Sequence, residues 1–244
     1  MLQEDEHGEF LFMVSHIISP EEMYLHPVSE MSGQLTKLEK DLAIYADSQQ
    51  ITMVEEVVVG SVWAVLLEMW YRVRVDNLSQ GEVVLQSIDY GHYLHLDHKG
   101  VRLHRLPPGL ASTLPGLAVR CHLSRVRPVQ DSGWDKLSMQ IINSCLEGVD
   151  QHHALVVDRN ESGDSLGVVI TLEREGKFST VNQRLVEVGC AISSLFGSHG
   201  ETDEVGDSGM VNDWDPLEDG YDSTIHNYIA GGRRSKASSV YVPG

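Results

Sequence analysis

The sequence predicts a mainly β fold with helices, on three observations. Runs of β-branched and aromatic residues recur along the chain and are densest over residues 54–75. Three other stretches space their apolar residues three to four apart, the helical period. Gly and Pro residues punctuate the chain between these segments.

In chain order, Phe10-Leu11-Phe12-Met13-Val14-Ser15-His16-Ile17-Ile18 reads as a strand stopped by Ser19-Pro20, and Met23-Tyr24-Leu25-His26-Pro27-Val28 as its hairpin partner. Between Gly33 and Gln49, Leu35, Leu38, Leu42 and Tyr45 mark one face of an amphipathic helix. Two strand-like runs follow: Trp70-Tyr71-Arg72-Val73-Arg74-Val75, and a second ending in Ile88-Asp89-Tyr90-Gly91. They are joined at Asn77-Leu78-Ser79-Gln80-Gly81, which makes a curled antiparallel sheet with aromatics near one rim. Short strands continue to about Leu106, and Pro107-Pro108-Gly109 and Leu114-Pro115-Gly116 then punctuate the chain. The second half opens on a strand at residues 118–123. Trp134, Leu137, Ile141, Ile142 and Cys145 predict one face of a helix over residues 134–146. Residues 154–157 and 167–172 form a hairpin, and Val181, Leu185, Val188, Cys190, Ala191 and Leu195 predict a last helix. No internal repeat is present.

With 41% apolar residues, 244 residues suffice to bury one large core or two modest ones. Asp and Glu number 36 against 18 Lys and Arg, a formal charge of −18. Duplex nucleic acid is therefore a poor partner, since affinity for it comes from neutralising phosphates. A cationic partner suits this field, reached by an attraction that salt weakens. Cys121, Cys145 and Cys190 are widely spaced in apolar surroundings, which predicts reduced thiols in a cytosolic or nuclear compartment. The acidic start, Met1-Leu2-Gln3-Glu4-Asp5-Glu6, lacks the features of a signal peptide. The longest apolar run, residues 62–67, is too short to span a bilayer, so a soluble intracellular protein without membrane contact is expected.

The stretch Trp70-Tyr71-Arg72-Val73-Arg74-Val75 with Asp89-Tyr90-Gly91 resembles the core of a Tudor domain, whose usual signature runs G-x-x-x-A, W-Y-R-A-x-V, D-Y-G-N. The order strand-strand-helix, small barrel, strand-helix-strand-strand-helix is similar to the extended Tudor domain. That resemblance implies an SH3-like Tudor barrel inserted into an SN-like (staphylococcal nuclease-like) OB-fold lobe and joined to it by a linker helix. Residues 10–53 would supply the first strands and the helix, 54–116 the barrel, and 117–197 the rest of the lobe. Residues 198–244 form an acidic tail that Trp214 and Tyr221 would pack back onto the globule. From Gly231 to Lys236 the tail reads as the start of a flexible linker.

Tudor barrels bind peptides and are not enzymes, so the resemblance implies a protein-interaction module without cofactor or metal. In the family a box of four aromatics holds a dimethylated arginine, and an Asn at the rim hydrogen-bonds the guanidinium. Carried over singly, Tyr71 and Tyr90 keep aromatics. Ser87 stands where Tyr or Phe is common, the loop aromatic falls among Val65, Leu66 and Leu67, and His92 replaces the Asn. Tyr71, Tyr90, Asp89, Ser87, His92 and Val65 are the expected peptide contacts. Asp89 also reads as a turn stabiliser, and Arg72 as structural, its stem on the sheet and its head paired locally. With walls missing, the expected ligand is an arginine-rich segment bound without strict need of methylation, through Asp89, Glu68 and the acidic surface. By the family, this is the N-terminal peptide of a PIWI-clade Argonaute, and the protein a scaffold of piRNA biogenesis in perinuclear germ granules (nuage). The alternatives are a partner in the groove between lobes, a structural or self-associating module, and single-stranded RNA on the OB-like lobe, which the charge disfavours.

Other motifs carry less. Gly163-Asp164-Ser165-Leu166-Gly167 matches a hydrolase nucleophile elbow, but a strand rather than a helix follows it. Gly206-Asp207-Ser208-Gly209 is a chance echo of a protease string. His92, His95, Asp97, His98 and His104 fit no fixed zinc spacing.

Overall fold

The computed structural model of the protein describes residues 8–48, 57–97, 99–107, 109–160, 162–174 and 176–194. The expected tail contacts of Trp214 and Tyr221 lie outside the described residues. Strand β1 (Glu9–Ser19) turns at Pro20-Glu21 into β2 (Glu22–Pro27), as the Ser-Pro stop requires. Much later in the chain come β8 (Val119–Leu123), β10 (His152–Arg159) and β11 (Leu166–Arg174). Pairing runs from β10 through β1, β2 and β8 to β11, and β11 pairs β10 again, so these strands close into a ring. The β8–β11 pairing is parallel and the others are antiparallel, the closed Greek-key arrangement of an OB fold. Phe10, Phe12, Met23, Leu25, Cys121, Val168, Ile170 and Leu185 fill it.

Helix α2 (Lys136–Leu146) covers one end of the ring. Asp135 caps it by accepting from the Ser138 N–H at 2.8 Å. Ile142, Cys145 and Leu146 face the core, whereas Leu137 is 45% exposed. Five residues from Ile142 is a rotation of about 140°, which turns Leu137 away. The last helix, α3 (Val181–Glu187), is shorter than its apolar pattern predicts. Gly189 at φ 77° stops it, with Cys190 N–H donating to Leu185 O (2.9 Å) and Gly189 N–H to Val186 O (3.0 Å). This pair of bonds is a Schellman close. Ala191 therefore belongs to β13 (Ala191–Ser193), paired with β9 (Val126–Pro128), and Val188 is exposed.

Between β2 and β8 the chain builds a second body. Strands β3 (Val62–Leu66), β4 (Trp70–Leu78), β5 (Glu82–Ser87), β6 (Tyr93–Asp97) and β7 (Leu103–His104) form an antiparallel sheet in the order β6-β5-β4-β3-β7. It curls around Trp63, Val65, Val73, Val75, Val83, Leu85 and Leu103. The β4–β5 hairpin turns at Gly81, whose φ of 102° suits glycine. Helix α1 (Val28–Ser48) leaves the end of β2 and buries Leu38 and Leu42 against Ala64 and Leu117, with Trp70 and Leu114 beside them.

The corner at residues 88–91 ties the two bodies together. Arg72 on β4 donates from Nε to Asp89 Oδ2 (2.9 Å) and from Nη2 to Asp89 Oδ1 (2.5 Å). Its remaining N–H groups reach the carbonyls of Leu110, Leu114 and Pro115, so the segment returning to the larger lobe is held by the same guanidinium. Asp89 Oδ1 also accepts from Leu117 N–H at 3.1 Å. From the larger lobe, His26 Nε2 lies 2.7 Å from Asp89 O, and Ser15 Oγ donates to Tyr90 O at 2.8 Å. Gly91 is required twice over: its φ is 89°, and a Cβ there would fall 2.0 Å from the Tyr24 ring.

Replacing Asp89 by Ala strands a buried guanidinium, which costs about 3–5 kcal/mol. Urea denaturation of Asp89→Ala reads this loss; a midpoint equal to wild type would show the pair to be dispensable.

Candidate functional site

The corner that binds the lobes also presents rings. Tyr71 stands at the start of β4, Tyr90 at the corner, and His92 just before β6. Tyr71 and Tyr90 lie 5.6 Å apart at 71°, Tyr71 and His92 5.4 Å apart at 89°, and Tyr90 and His92 6.0 Å apart. Tyr71 thus meets both other rings edge-on, while Tyr90 and His92 are tilted at 44°, and the three partly buried rings form the walls of an open box. The Tyr90 hydroxyl donates to Glu39 Oε1 of α1 at 2.7 Å, which sets a carboxylate beside the rings. Two imidazoles come from the larger lobe: His26 of β2, 5.9 Å from Tyr90, and His16 of β1, 6.1 Å from His92.

Burial, then the Glu39 hydrogen bond and charge, hold the Tyr90 phenol protonated well above its ordinary range. Burial, and next the neighbouring His16, push the His92 imidazole below its usual range, which favours the neutral ring at physiological pH. Tyrosine faces, a neutral imidazole and a carboxylate together attract a cation that sheds water readily.

Three expected contacts need correcting. Asp89 is 1% exposed, and both of its carboxylate oxygens are taken by Arg72 and Leu117, so it is the turn stabiliser of the two readings. Ser87 is 0% exposed, and Val65 is 1% exposed within the barrel core. None of the three reaches a peptide. Leu66, Leu67 and Glu68 stay exposed in the β3–β4 turn, which offers aliphatic side chains and no ring where a further aromatic wall was sought. Glu39, His16 and His26 were missed. Their only sequence signal is polarity at strand positions of an apolar hairpin and on the linker helix.

The groove between lobes is a cavity of about 510 Å³ lined by Tyr24, Arg74, Gln86, Tyr93, Arg120 and Asp164. Arg120 is shared by Asp164 (3.4 Å) and Glu22 (3.5 Å), and Arg74 has no ion pair among the described residues. Asp76 also lines it, so the groove carries both signs of charge, whereas the ring cluster sets aromatic faces beside its carboxylate and suits a guanidinium better. At the hydrolase-like string, Ser165 Oγ lies 2.9 Å from His122 Nδ1, and His122 Nε2 3.2 Å from Asp158 Oδ1. This line resembles a catalytic triad without its surroundings. Ser165 is buried in a hairpin, and its amide donates to Asn160 Oδ1 instead of facing a site for an oxyanion. Among the described residues no three His, Cys, Asp or Glu group as metal ligands, and no helix is long and apolar enough to cross a membrane.

Residues 7–125 match the family model of the Tudor domain. The match spans the first hairpin, the linker helix and the barrel. The chain's fold, barrel within lobe, is that of the extended Tudor domain. The human TDRD1 extended Tudor domain, solved with a symmetrically dimethylated peptide, superposes with a TM-score of 0.68 at 24% identity, over 79% of this chain and 93% of that one. Extended Tudor domain TD3 of mouse TDRD1, bound to a MILI peptide containing dimethylarginine, gives 0.67 at 21% identity, over 79% and 96%. A variant of the Drosophila melanogaster Papi extended Tudor domain, bound to an unmethylated Piwi N-terminal peptide, gives 0.63 at 18% identity, over 76% and 99%. No curated protein matches the sequence.

Partly buried histidines also set a pH dependence for this chain. Burial is the first cause of lowered values at His92, His104 and His152. Unfolded histidines take up protons at about pH 6.5, the folded ones only below it. The unfolded chain thus binds more protons as pH falls, and stability present above about pH 6.5 is progressively lost beneath it. Thermal melts from about pH 7 to about pH 5 should fall, with less slope in His92→Phe; a melting temperature that rises on acidification contradicts this.

Proposed function

We propose that this extended Tudor domain docks an arginine-containing segment of a partner protein in the box of Tyr71, Tyr90 and His92, beside Glu39. One observation carries the reading: three rings meet within 6.0 Å of one another, with a carboxylate hydrogen-bonded to one of them. Ring faces attract the guanidinium through their quadrupoles, and the carboxylate offers a charge-assisted acceptor. The net charge of −18 draws a basic segment toward it. Support comes also from similar domains, solved with dimethylated arginine in TDRD1 and BmPAPI and with an unmethylated peptide in a variant of Drosophila Papi.

Sequence position 87 gives no aromatic wall and position 92 gives no Asn, so methylation is not a strict requirement. Methylation makes a guanidinium easier to desolvate but removes donors, and this box has few rings to exploit the first effect. The partner on this reading is the arginine-rich N-terminal tail of a PIWI-clade Argonaute. The domain would act without catalysis, in a scaffold of piRNA biogenesis located in perinuclear granules. Residues 54–116 are then the docking barrel, and 10–53 with 117–197 its supporting lobe.

Isothermal titration with an Arg/Gly-rich peptide, unmodified and symmetrically dimethylated, tests this. The two forms should bind within about tenfold of each other, and Tyr90→Ala should cost about 0.5–2 kcal/mol toward both. Glu39→Gln should weaken binding several-fold. Binding that survives both substitutions unchanged would move the peptide elsewhere.

A further inference from the structure

Tyr71, Tyr90 and His92 all belong to the barrel, yet the ring cluster does not end with them. His16 projects from β1 of the larger lobe and meets His92 edge-on, 6.1 Å away at 76°. The hairpin around it is pinned to the same corner: Ser15 Oγ donates to Tyr90 O, and His26, opposite Met13 on the paired strand, lies 2.7 Å from Asp89 O. His16 is thus held beside the box by the contacts that fasten the lobes. We infer that His16 is a fourth wall of the box, supplied by the other lobe, and that arginine docks only while His16 and His92 are both neutral. The inference rests on the docking reading above.

A neutral imidazole offers a π face and one acceptor nitrogen, to which a guanidinium N–H can donate. The imidazolium has no acceptor and carries the same charge as the ligand. The other groups at this corner do not cancel that change. Asp89 is occupied by Arg72 and Leu117, Tyr71 and Tyr90 are phenols, His26 is buried against a carbonyl, and Glu39 of α1 is bound by the Tyr90 hydroxyl. Among the described residues, Glu39 is the carboxylate in contact with the rings; it attracts both the ligand and a protonated histidine. Desolvation of His92 and its repulsion by His16 keep the His92 ring on the neutral side.

The test is titration of the intact chain with an unmodified Arg/Gly-rich peptide at about pH 7.5 and about pH 5.5. This window lies above the range where ordinary carboxylates take up protons. Folding is checked by circular dichroism at each pH. Wild type should lose about tenfold or more in affinity on acidification, as a like charge within about 6 Å of the guanidinium demands. His16→Phe should lose part of that dependence. His16→Phe with His92→Phe, whatever its affinity at neutral pH, should bind equally at both pH values. A wild-type affinity that ignores pH, or a double variant that keeps the full dependence, overturns the inference while leaving docking intact. No binding at neutral pH by wild type defeats the docking reading and this inference with it. A second measurement is independent of pH: histidine ring proton signals in NMR spectra. Those of His16 and His92 should shift when peptide is added at neutral pH, and a His16 signal that stays in place rules it out as a wall.

Discussion

The buried pair between Arg72 and Asp89 is the constraint on which the remaining architecture depends. A guanidinium out of water must place every N–H, and Arg72 does so on one carboxylate and three carbonyls. Those acceptors come from the β5–β6 corner and from the strap that carries the chain back to the larger lobe. One side chain thus fixes the corner, the return path and the seat of β8 against β2. Glycine at position 91 is a consequence, because the corner lies against Tyr24 of the other lobe. Tyr90 stands on this locked corner, and its hydroxyl is held in turn by Glu39.

That arrangement divides between two carboxylates the duties that the sequence motif assigns to one. Asp89 builds the corner from beneath, and Glu39, reaching over from the linker helix, supplies negative charge at its surface. The box mixes phenols with imidazoles. Aromatic walls made only of Phe and Tyr keep the same affinity for a cation across physiological pH, whereas imidazole walls tie it to protonation. On the docking proposal, a chain of net charge −18 would attract basic segments at long range and the box would decide whether they stay.

Much of the fold was legible. The first hairpin, the linker helix and the β4–β5 hairpin showed through period and punctuation, because each is long enough for its pattern to register. Strands β9, β12 (Lys177–Thr180) and β13 did not, since three or four residues carry no period. The last helix was overextended because apolar spacing from Val181 to Leu195 continues past Gly189, and the turn there overrides it. The structure brings Tyr71, Tyr90 and His92 together, and sequence could group them because they sit on one local motif. Asp89 was placed among the contacts because sequence gives its position in the motif but not its direction. Glu39 and His16 lie 51 and 76 residues from their partners Tyr90 and His92, a pairing that only the closed OB ring and its inserted barrel create.

The most direct measurement is a crystal structure of this chain with an arginine-rich peptide bound. The account predicts one guanidinium between the rings of Tyr71 and Tyr90, with His92 alongside and Glu39 within hydrogen-bonding reach. A peptide lying instead in the groove beside Arg74 and Arg120, with the rings uncovered, would contradict it.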